Sequence, residues 1–325
     1  MQTRDSSSAD GTTLRLGFGC GSLGSELDRT SSCKLLEAAY EAGFRHFDVA
    51  PSYGHGLAEG IVGEVLASVR KTVTIVTKAG IARPKAASGL RAVRKLFLPV
   101  KTAFPSLWGI AAGQANRAVT ARGQFNREHI LASVTESLRH LRIDQLDALL
   151  LHEVLPQDVN EELMGTLEML RVQGAARELG TGTSVEASVE IVTQHPGLFD
   201  WIQTNHYWGA FLPELRTVAH RLVTHRSLRT GIPLVASAAF QTALPSSEAT
   251  RGLQAALADP QRGPALLLRA GLLQNAEGRL LVSTTRIERV RQFAEIARSP
   301  AGDALPGLLN SHLASLVHST KVADA

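Results

Sequence analysis

The sequence predicts an α/β protein with the (β/α)8 TIM barrel fold, as a single domain with a long insertion after its third strand. Short apolar runs typical of buried strands alternate with amphipathic segments typical of helices along the whole chain. Three of these runs end in a polar residue, which is costly in a buried strand unless that residue has a partner or a task. The carboxyl ends of the strands are where (β/α)8 barrels hold their active sites.

Eight segments are predicted to be strands because they are short, apolar and bounded by turn-forming residues. In chain order they are Leu14–Cys20, Phe44–Ala50, Val73–Lys78, Leu146–His152, Glu178–Gly182, Asp200–Asn205, Pro233–Ser237 and Arg279–Thr284. The second, third and fourth end at or beside Asp48, Lys78 and His152. In a closed parallel sheet, these three residues share one face of the barrel.

The segments between and after the strands have helical periodicity. They are Ser31–Ala42, Gly60–Val69, Asn126–Leu141, Glu161–Gln173, Val185–Gln194, Pro213–Thr224, Pro264–Gln274 and Ile287–Arg298. Ser31 or Ser32 is expected to cap the first helix, and Gly43 to stop it. Asn126 is expected to cap the helix before the fourth strand.

An insertion separates the third and fourth strands. Between Lys78 and His152 there are 73 residues, more than one helix and a loop require. The excess, residues 82–123, is basic at first and then apolar, with Leu96, Phe97, Leu98, Phe104 and Trp108. Because it follows a strand end, it emerges on the catalytic face. A lid over the substrate is the favoured interpretation, and a subunit contact, a mobile loop or a membrane-surface contact are the alternatives.

The remaining domain organisation follows from the two ends of the chain. Residues 1–13 are polar and are expected to form a flexible tail. The barrel domain is expected to cover residues 14–325, with a C-terminal extension from about residue 299.

Composition narrows the classes of function. The net charge of +4 is spread along the chain and does not indicate a nucleic-acid partner. The two cysteines, Cys20 and Cys33, form neither a disulfide framework nor a metal set. No apolar run approaches the roughly 20 residues that span a bilayer, and the start lacks the pattern of a signal peptide. We therefore expect a cytoplasmic protein without stable membrane insertion.

One glycine motif points to a different fold and is rejected. Residues Gly19–Gly24 match the pattern GxGxxG, and Asp48 follows at about the distance expected of a Rossmann fingerprint. In that fold, however, the glycines open a helix whose N-terminus holds the pyrophosphate. Here helical periodicity begins only near Ser31, so we expect a glycine-rich loop.

The residues at the strand ends suggest proton transfer. Tyr53 lies five positions beyond Asp48, and a tyrosine with a pKa near 10 is a weak acid at neutral pH. An ammonium such as that of Lys78 favours the phenolate, which predicts a lowered pKa for Tyr53. Asp48 could pair with Lys78 and fix its position, and His152 could donate a hydrogen bond to a substrate oxygen. Such a set protonates a carbonyl or deprotonates an alcohol while another group handles the hydride. Neither an acyl-transfer nucleophile nor a metal-ligand spacing is evident.

Each of these residues also has a structural explanation. Lys78 could extend to solvent from a barrel end, and Asp48 could be a turn residue before Pro51. Tyr53 could pack on a loop, and His152 could be a buried histidine with satisfied hydrogen bonds. Four such coincidences in order are much less probable than one site.

The segment Asp48-Val-Ala-Pro-Ser-Tyr53-Gly-His-Gly-Leu-Ala-Glu59 resembles the signature of the aldo-keto reductases. Lys78 after Ile-Val-Thr and His152 after Leu-Leu-Leu resemble the rest of that family's tetrad. The resemblance implies a barrel that binds NADPH or NADH without a Rossmann domain. It also implies that Tyr53 is the general acid/base, that Asp48 and Lys78 tune it, and that His152 orients the carbonyl.

The resemblance extends to the cofactor contacts. Gln203 matches the glutamine that hydrogen-bonds the nicotinamide carboxamide, whereas the usual Ser-Asn after the fifth strand is Gly182-Thr183. The ring that stacks on nicotinamide, near the end of the seventh strand, aligns with Ser237, and Phe240 is a substitute from the loop. The phosphate-binding segment is matched at the eighth strand by Ser283, Thr284, Thr285, Arg286 and Arg289. The arginines favour NADPH, with NAD as the alternative.

Two functions remain open from the sequence. The first is an NAD(P)H-dependent oxidoreductase for a small carbonyl or alcohol substrate, such as an aldehyde, a ketone or a sugar. The second is a nucleotide-binding barrel with little or no turnover, acting as a sensor or as a partner subunit. The departures at Gly182, Thr183 and Ser237 support the second, and the intact set of Asp48, Tyr53, Lys78 and His152 supports the first. Whether the chain forms an oligomer is left open.

Overall fold

The computed structural model describes residues 14–84, 123–208, 215, 221–299 and 303–323. Within these residues, eight parallel strands form a closed barrel in sequence order, with β8 pairing with β1. The strands are β1 (Leu16–Gly19), β2 (His46–Asp48), β3 (Thr74–Ala79), β4 (Leu146–His152), β5 (Ala176–Gly182), β6 (Trp201–Asn205), β7 (Arg221–His225) and β8 (Arg279–Val282). The predicted barrel fold is confirmed, and the glycine motif ends β1 rather than opening a helix.

The helices pack around the barrel. They are α1 (Arg29–Glu41), α2 (Ala58–Val65), α3 (Arg127–Leu141), α4 (Glu161–Val172), α5 (Val185–Gln194), α6 (Ser227–Ala236), α7 (Ala238–Ala243), α8 (Glu248–Ala258), α9 (Arg262–Gln274), α10 (Ile287–Arg298) and α11 (Leu305–Ala323). Short 3₁₀ turns occupy Tyr53–Gly56, Ala67–Thr72 and Pro156–Asp158. No helix among the described residues is long and apolar enough to cross a membrane.

The helix caps agree with the prediction at one helix and differ at another. Asn126 caps α3 as expected, because its side chain accepts a hydrogen bond from the backbone N–H of His129 at 2.9 Å. The first helix begins two residues earlier than predicted, and its cap is Asp28, which accepts from the N–H of Ser31 at 2.7 Å. Ser32 is already inside the helix, where its hydroxyl accepts from the N–H of Gly24 at 3.1 Å.

The prediction of the seventh strand is wrong. Residues Pro233–Ala236 belong to α6, and β7 is Arg221–His225, which lies largely inside the predicted helix Pro213–Thr224. An apolar run of four residues does not distinguish a strand from a buried helix segment. Here Val235 of α6 packs into an apolar core outside the barrel. Pro233 lies inside the same helix, although a proline at such a position is normally unfavourable.

Side-chain alternation along the strands positions the functional face. The barrel interior is filled by Val76, Ala148, Leu150, Trp201, Val223 and Leu281. Because every second residue of a strand points the same way, the next inward positions lie at the carboxyl ends of the strands. In this upper layer are Gly19, Asp48, Lys78, His152, Gly182, Gln203, His225 and Ser283.

A second apolar core lies beside the barrel. It is formed by side chains of α6, α7, α8, α9 and α11 together with Trp208, and includes Val235, Phe240, Leu253, Leu267 and Leu309. The C-terminal helix α11 therefore packs on the helices that follow β7. The tail at residues 1–13 and most of the predicted insertion, residues 85–122, lie outside the described residues, so the lid remains a prediction.

Candidate active site

Three of the four predicted catalytic side chains are joined by hydrogen bonds. The ammonium nitrogen Nζ of Lys78 donates to Oδ1 of Asp48 at 2.6 Å, to the backbone oxygen of Val49 at 3.3 Å and to the hydroxyl of Tyr53 at 3.3 Å. The ring of His152 lies edge-on to that of Tyr53, with 6.0 Å between their centroids. All four residues therefore meet at the carboxyl end of the barrel.

Lys78 is charged in this site because of its partners. It is a fully buried lysine, 2% exposed, and burial alone lowers the pKa of an ammonium. Asp48 and Tyr53 outweigh that effect, so the pKa of Lys78 is raised above its usual value. An ammonium held in place by a buried carboxylate is thus available next to the tyrosine hydroxyl.

The pKa of Tyr53 shifts in the opposite direction to the sequence prediction. Burial raises it more than Lys78 lowers it, and Asp48 raises it further. The predicted lowering is wrong because the sequence indicates the neighbouring charges but not the depth at which the ring is buried. The tyrosine is therefore a neutral phenol at neutral pH, the form that donates a proton.

His152 is neutral as well. Burial lowers its pKa to about 3, with further lowering by Lys78 and His225. Its Nδ1 is buried and has no hydrogen-bond partner among the described residues. A neutral imidazole beside the tyrosine hydroxyl offers one donor or acceptor to a ligand oxygen, and carries no charge that competes with Lys78.

The turn that carries Tyr53 is fixed by close backbone packing. Gly54 and His55 both have left-handed backbone angles, with φ of 59° and 54°. A Cβ atom at Gly54 would lie 1.9 Å from the carbonyl oxygen of Leu23, so only glycine fits there. The turn that carries Tyr53 therefore packs on the loop that follows β1.

A buried ion pair behind this turn was not predicted from the sequence. Glu59 on α2 is fully buried and forms an ion pair with Arg83, and its Oε1 accepts a hydrogen bond from the Thr77 hydroxyl at 2.5 Å. Arg83 also donates to the carbonyl oxygen of Gly56 at 2.5 Å. The pair thus connects the Tyr53 turn to the strand that carries Lys78. The only signal in the sequence is a glutamate among apolar residues at a buried helix position.

A cavity of about 410 Å³ opens at the carboxyl end of the barrel, between the Asp48–Tyr53 side and the segments that follow β7 and β8. Its lining residues are Gly19, Gly21, Asp48, Tyr53, Gln203, His225, Arg226, Ser227, Leu228, Arg229, Leu281, Val282, Ser283 and Phe293. Its size is within the range of ligand pockets. Gln203 is buried, and its Oε1 has no hydrogen-bond partner among the described residues.

The predicted phosphate-binding segment lies at the same end of the barrel. The hydroxyl of Ser283 lines the cavity and donates to the carbonyl oxygen of Gly19 at 3.1 Å. Thr284 accepts from the backbone N–H of Arg286, the N-cap residue of α10, at 3.2 Å. Thr285 lies between them. Arg286 and Arg289 have no carboxylate within ion-pair distance among the described residues.

Ser237 does not lie at a strand end. It caps α7, because its hydroxyl oxygen accepts from the backbone N–H of Phe240 at 3.2 Å. Phe240, the predicted substitute, is buried in the second apolar core. The residue at the end of β7 is His225, which lines the cavity and has its pKa lowered by burial to about 4. Sequence reasoning missed His225 because the strand was placed too late in the chain.

The residues at the end of β5 are Gly182 and Thr183, where the resemblance implies Ser-Asn. Gly182 ends β5 opposite His152, and Thr183 is buried. A Cβ atom at Gly182 would meet only ordinary contacts, 3.6 Å or more away. The glycine therefore leaves a gap next to Lys78 rather than satisfying a backbone requirement.

Fold and site together define a class: a (β/α)8 barrel whose carboxyl face presents a tyrosine, a buried lysine–aspartate pair and a histidine beside an open cavity. Comparison with known proteins identifies the family. The sequence profile described as "Aldo/keto reductase family" matches residues 15–303, most of the chain. The chain therefore belongs to the aldo/keto reductase family, and the predicted resemblance is confirmed.

Individual relatives are more distant. The chain is 30% identical over 181 residues to a D-threo-aldose 1-dehydrogenase from a Pseudomonas species, covering 52% of this chain and 50% of that protein. It is 29% identical over 149 residues to a pyridoxal 4-dehydrogenase from Microbacterium luteolum, covering 44% and 40%. The aligned region thus spans half or less of the length of these curated relatives.

Solved structures confirm the fold across nearly the whole chain. A holo-form aldo-keto reductase from Bacillus halodurans superposes with a TM-score of 0.66 at 20% identity, covering 93% of this chain and 91% of that one. An aldo-keto reductase from Klebsiella pneumoniae in complex with NADPH gives a TM-score of 0.64 at 18% identity, covering 93% and 92%. At these identities the likeness concerns the fold alone.

Proposed function

We propose that the protein is an NAD(P)H-dependent oxidoreductase that transfers a hydride between a nicotinamide cofactor and a carbonyl or alcohol substrate. The observation that carries this proposal is the position of Lys78, whose buried ammonium contacts both Asp48 and the hydroxyl of Tyr53 at the edge of the cavity. This arrangement serves proton transfer to an oxygen atom. Membership of the aldo/keto reductase family supports the same reaction type.

In the reduction direction, Tyr53 donates its phenolic proton to the substrate oxygen. A neutral phenol is the form that a raised pKa maintains. As the proton leaves, the ammonium of Lys78 stabilises the phenolate at 3.3 Å, and Asp48 keeps that ammonium in place. His152 is neutral and offers a hydrogen bond to the same substrate oxygen, so the carbonyl is oriented by two side chains.

The residues of the cavity fit a nicotinamide cofactor, which supplies the hydride when bound. The unpartnered Oε1 of Gln203 is a buried acceptor, which matches the N–H₂ of a carboxamide. His225 ends β7 and lines the cavity, and we assign its ring the role beside the nicotinamide that the resemblance implies for position 237. Ser283, Thr284, Thr285, Arg286 and Arg289 offer hydroxyls and cations beside the N-terminus of α10, where an adenosine phosphate is favoured. These cations support NADPH as the preferred cofactor.

The names of the relatives support the reaction class but not a substrate. The two relatives described above are named as dehydrogenases of an aldose and of pyridoxal, and one structural neighbour was solved with NADPH. We therefore assign a small carbonyl or alcohol substrate.

The proposal is tested in two steps with the wild-type protein. NADPH is first titrated while the fluorescence of the tryptophans is followed, and we expect quenching that saturates. A panel of aldehydes, ketones and sugars is then added at saturating NADPH, and we expect a substrate-dependent fall in nicotinamide absorbance. Binding of NADPH without turnover on the whole panel would contradict the enzyme and support a nucleotide sensor.

A further inference from the structure

The charge around the cavity is unbalanced. Among the described residues that line it, Asp48 is the one acidic side chain, and it is already paired with Lys78. Two arginines, Arg226 and Arg229, line the same cavity. Neither has a carboxylate within ion-pair distance among the described residues. The walls of the cavity therefore carry a net positive charge, which suits a negatively charged ligand.

Arg226 occupies a particular place in this cavity. It follows His225 at the end of β7, and its Nη1 donates to Oδ1 of Asn205 at the end of β6, at 3.3 Å. This contact turns the guanidinium towards the β6 side, where Gln203 lies two residues before Asn205. Arg229 lies in the first turn of α6, and Arg286 and Arg289 lie at the start of α10.

The backbone at Arg226 has an unfavourable conformation for an arginine. Its φ is 62°, in the left-handed region that glycine adopts at lower cost. The conformation is held because the carbonyl of Arg226 accepts from the backbone N–H of Thr230 at 3.0 Å and from its hydroxyl at 3.1 Å. Strained residues of this kind tend to occur at functional sites.

Arg226 also acts on the proton donor through space. Burial raises the pKa of Tyr53, and Arg226 opposes that shift slightly. Burial lowers the pKa of His225, and Arg226 lowers it further. Its charge is thus felt at the reacting end of the cavity, while its own hydrogen bond to a neutral amide leaves most of its donors available.

We infer that Arg226 selects substrates that carry a carboxylate or a similar anionic group, by pairing with that group while the carbonyl lies against Tyr53 and His152. This inference rests on the proposed function and names its substrate class. An arginine is well suited to this role because its planar fork binds a carboxylate with two parallel hydrogen bonds. The adenosine phosphate is assigned instead to Arg286 and Arg289, as proposed above.

The test compares matched aldehydes with and without a carboxylate. One pair is 4-carboxybenzaldehyde and 4-methylbenzaldehyde, and the other is succinic semialdehyde and butanal, so that the result does not depend on one length. Each is assayed with wild type, Arg226→Gln and Arg226→Lys at saturating NADPH. The two variants carry comparable backbone strain at position 226 and differ in charge. Binding of the same aldehydes to the NADP⁺ complex, in which no reduction takes place, is measured by calorimetry.

We expect Arg226→Gln to lower kcat/KM for the carboxylate aldehydes by about 10- to 100-fold, mainly through KM, because a charge-assisted pair is lost. The neutral aldehydes and the Kd for NADPH should change little, and Arg226→Lys should recover part of the loss. Equal losses on both members of each pair, together with weaker NADPH binding, would instead assign Arg226 to the cofactor. No change on any aldehyde would also overturn the inference.

The inference and the proposed function fail in different ways. If wild type reduces neither member of a pair, the proposed oxidoreductase fails on this panel, and the calorimetry still decides the role of Arg226. The role of Arg226 would be upheld if wild type binds the carboxylate aldehydes more tightly than the neutral ones and Arg226→Gln abolishes that preference. It would be refuted if wild type binds both members of each pair equally well.

Discussion

The wall of the barrel from β2 to β4 differs from the wall from β6 to β8 in how its charges are held. On the first side, Asp48 and Lys78 form a buried pair at 2.6 Å, and Glu59 pairs with Arg83 behind the Tyr53 turn. On the second side, Arg226 and Arg229 face the cavity without a carboxylate partner among the described residues. The charges of the first side are paired within the protein, whereas the charges of the second side are complementary to a negatively charged ligand.

This difference separates two kinds of work. Proton transfer needs groups fixed within a fraction of an ångström, and buried ion pairs fix them at a cost in desolvation. Binding a phosphate or a carboxylate needs cations that are free before the ligand arrives. Changes on the first side should therefore affect stability or the chemical step, and changes on the second side should affect affinity.

The largest effect on stability is expected for Glu59→Gln. Arg83 loses its buried partner and keeps only the exposed Glu136, at 3.4 Å. Breaking one side of a buried pair costs about 3 to 5 kcal/mol. The measurement is the free energy of unfolding in urea. Glu64→Gln is the matched control, because Glu64 lies on the same helix and its ion pair with Arg29 is exposed. Its effect should be below about 1 kcal/mol, and equal effects of the two substitutions would remove the role assigned to the buried pair.

A smaller effect, on affinity alone, is expected for Arg289→Ala. The variant should bind NADPH about ten-fold more weakly, since one charge-assisted contact with the adenosine phosphate is lost, and should bind NADH as wild type does. Titrations followed by tryptophan fluorescence measure both cofactors. Arg291→Ala on the same helix is the control, since Arg291 is exposed and has no assigned contact. Equal weakening of NADPH and NADH by Arg289→Ala would show that the phosphate lies elsewhere.

The smallest effect is expected for Ser237→Ala. The structure makes Ser237 the cap of α7, so its loss should lower the free energy of unfolding by about 1 kcal/mol. The Kd for NADPH should stay unchanged, because His225 rather than Ser237 lies at the end of β7. A clear loss of NADPH affinity without loss of stability would restore the original assignment of Ser237.

The same two sides differ in how far the sequence predicted them. Asp48, Lys78 and His152 lie at or next to the ends of β2, β3 and β4. The runs that hold these strands are short and rich in apolar residues, so both the strands and the site residues could be predicted. Strand β7 has an arginine at its start and a histidine at its end and only two apolar residues, Leu222 and Val223, so its pattern resembles a helix end. With that strand misplaced, His225 and Arg226 were not recognised.

Other features depend on tertiary structure and left no pattern to read. Arg83 comes 24 residues after Glu59, and nothing local predicts that they pair. The sign of the pKa shift of Tyr53 depends on the burial of its hydroxyl in the folded protein, which outweighs the effect of Lys78. Sequence patterns therefore predicted which charged and titratable side chains are present. The structure was needed to determine which of them pair and in which direction their pKa values shift.

The most direct test of the account compares wild type with Tyr53→Phe in a single turnover. Both proteins are saturated with NADPH, mixed with a carbonyl substrate of the wild type, and followed at the nicotinamide absorbance band. We predict that the variant binds NADPH as wild type does but reduces the substrate on the order of 10² to 10⁴ times more slowly, since it lacks the proton donor. Near-normal reduction by Tyr53→Phe would contradict the assignment of Tyr53 as the proton donor, and with it the proposed mechanism.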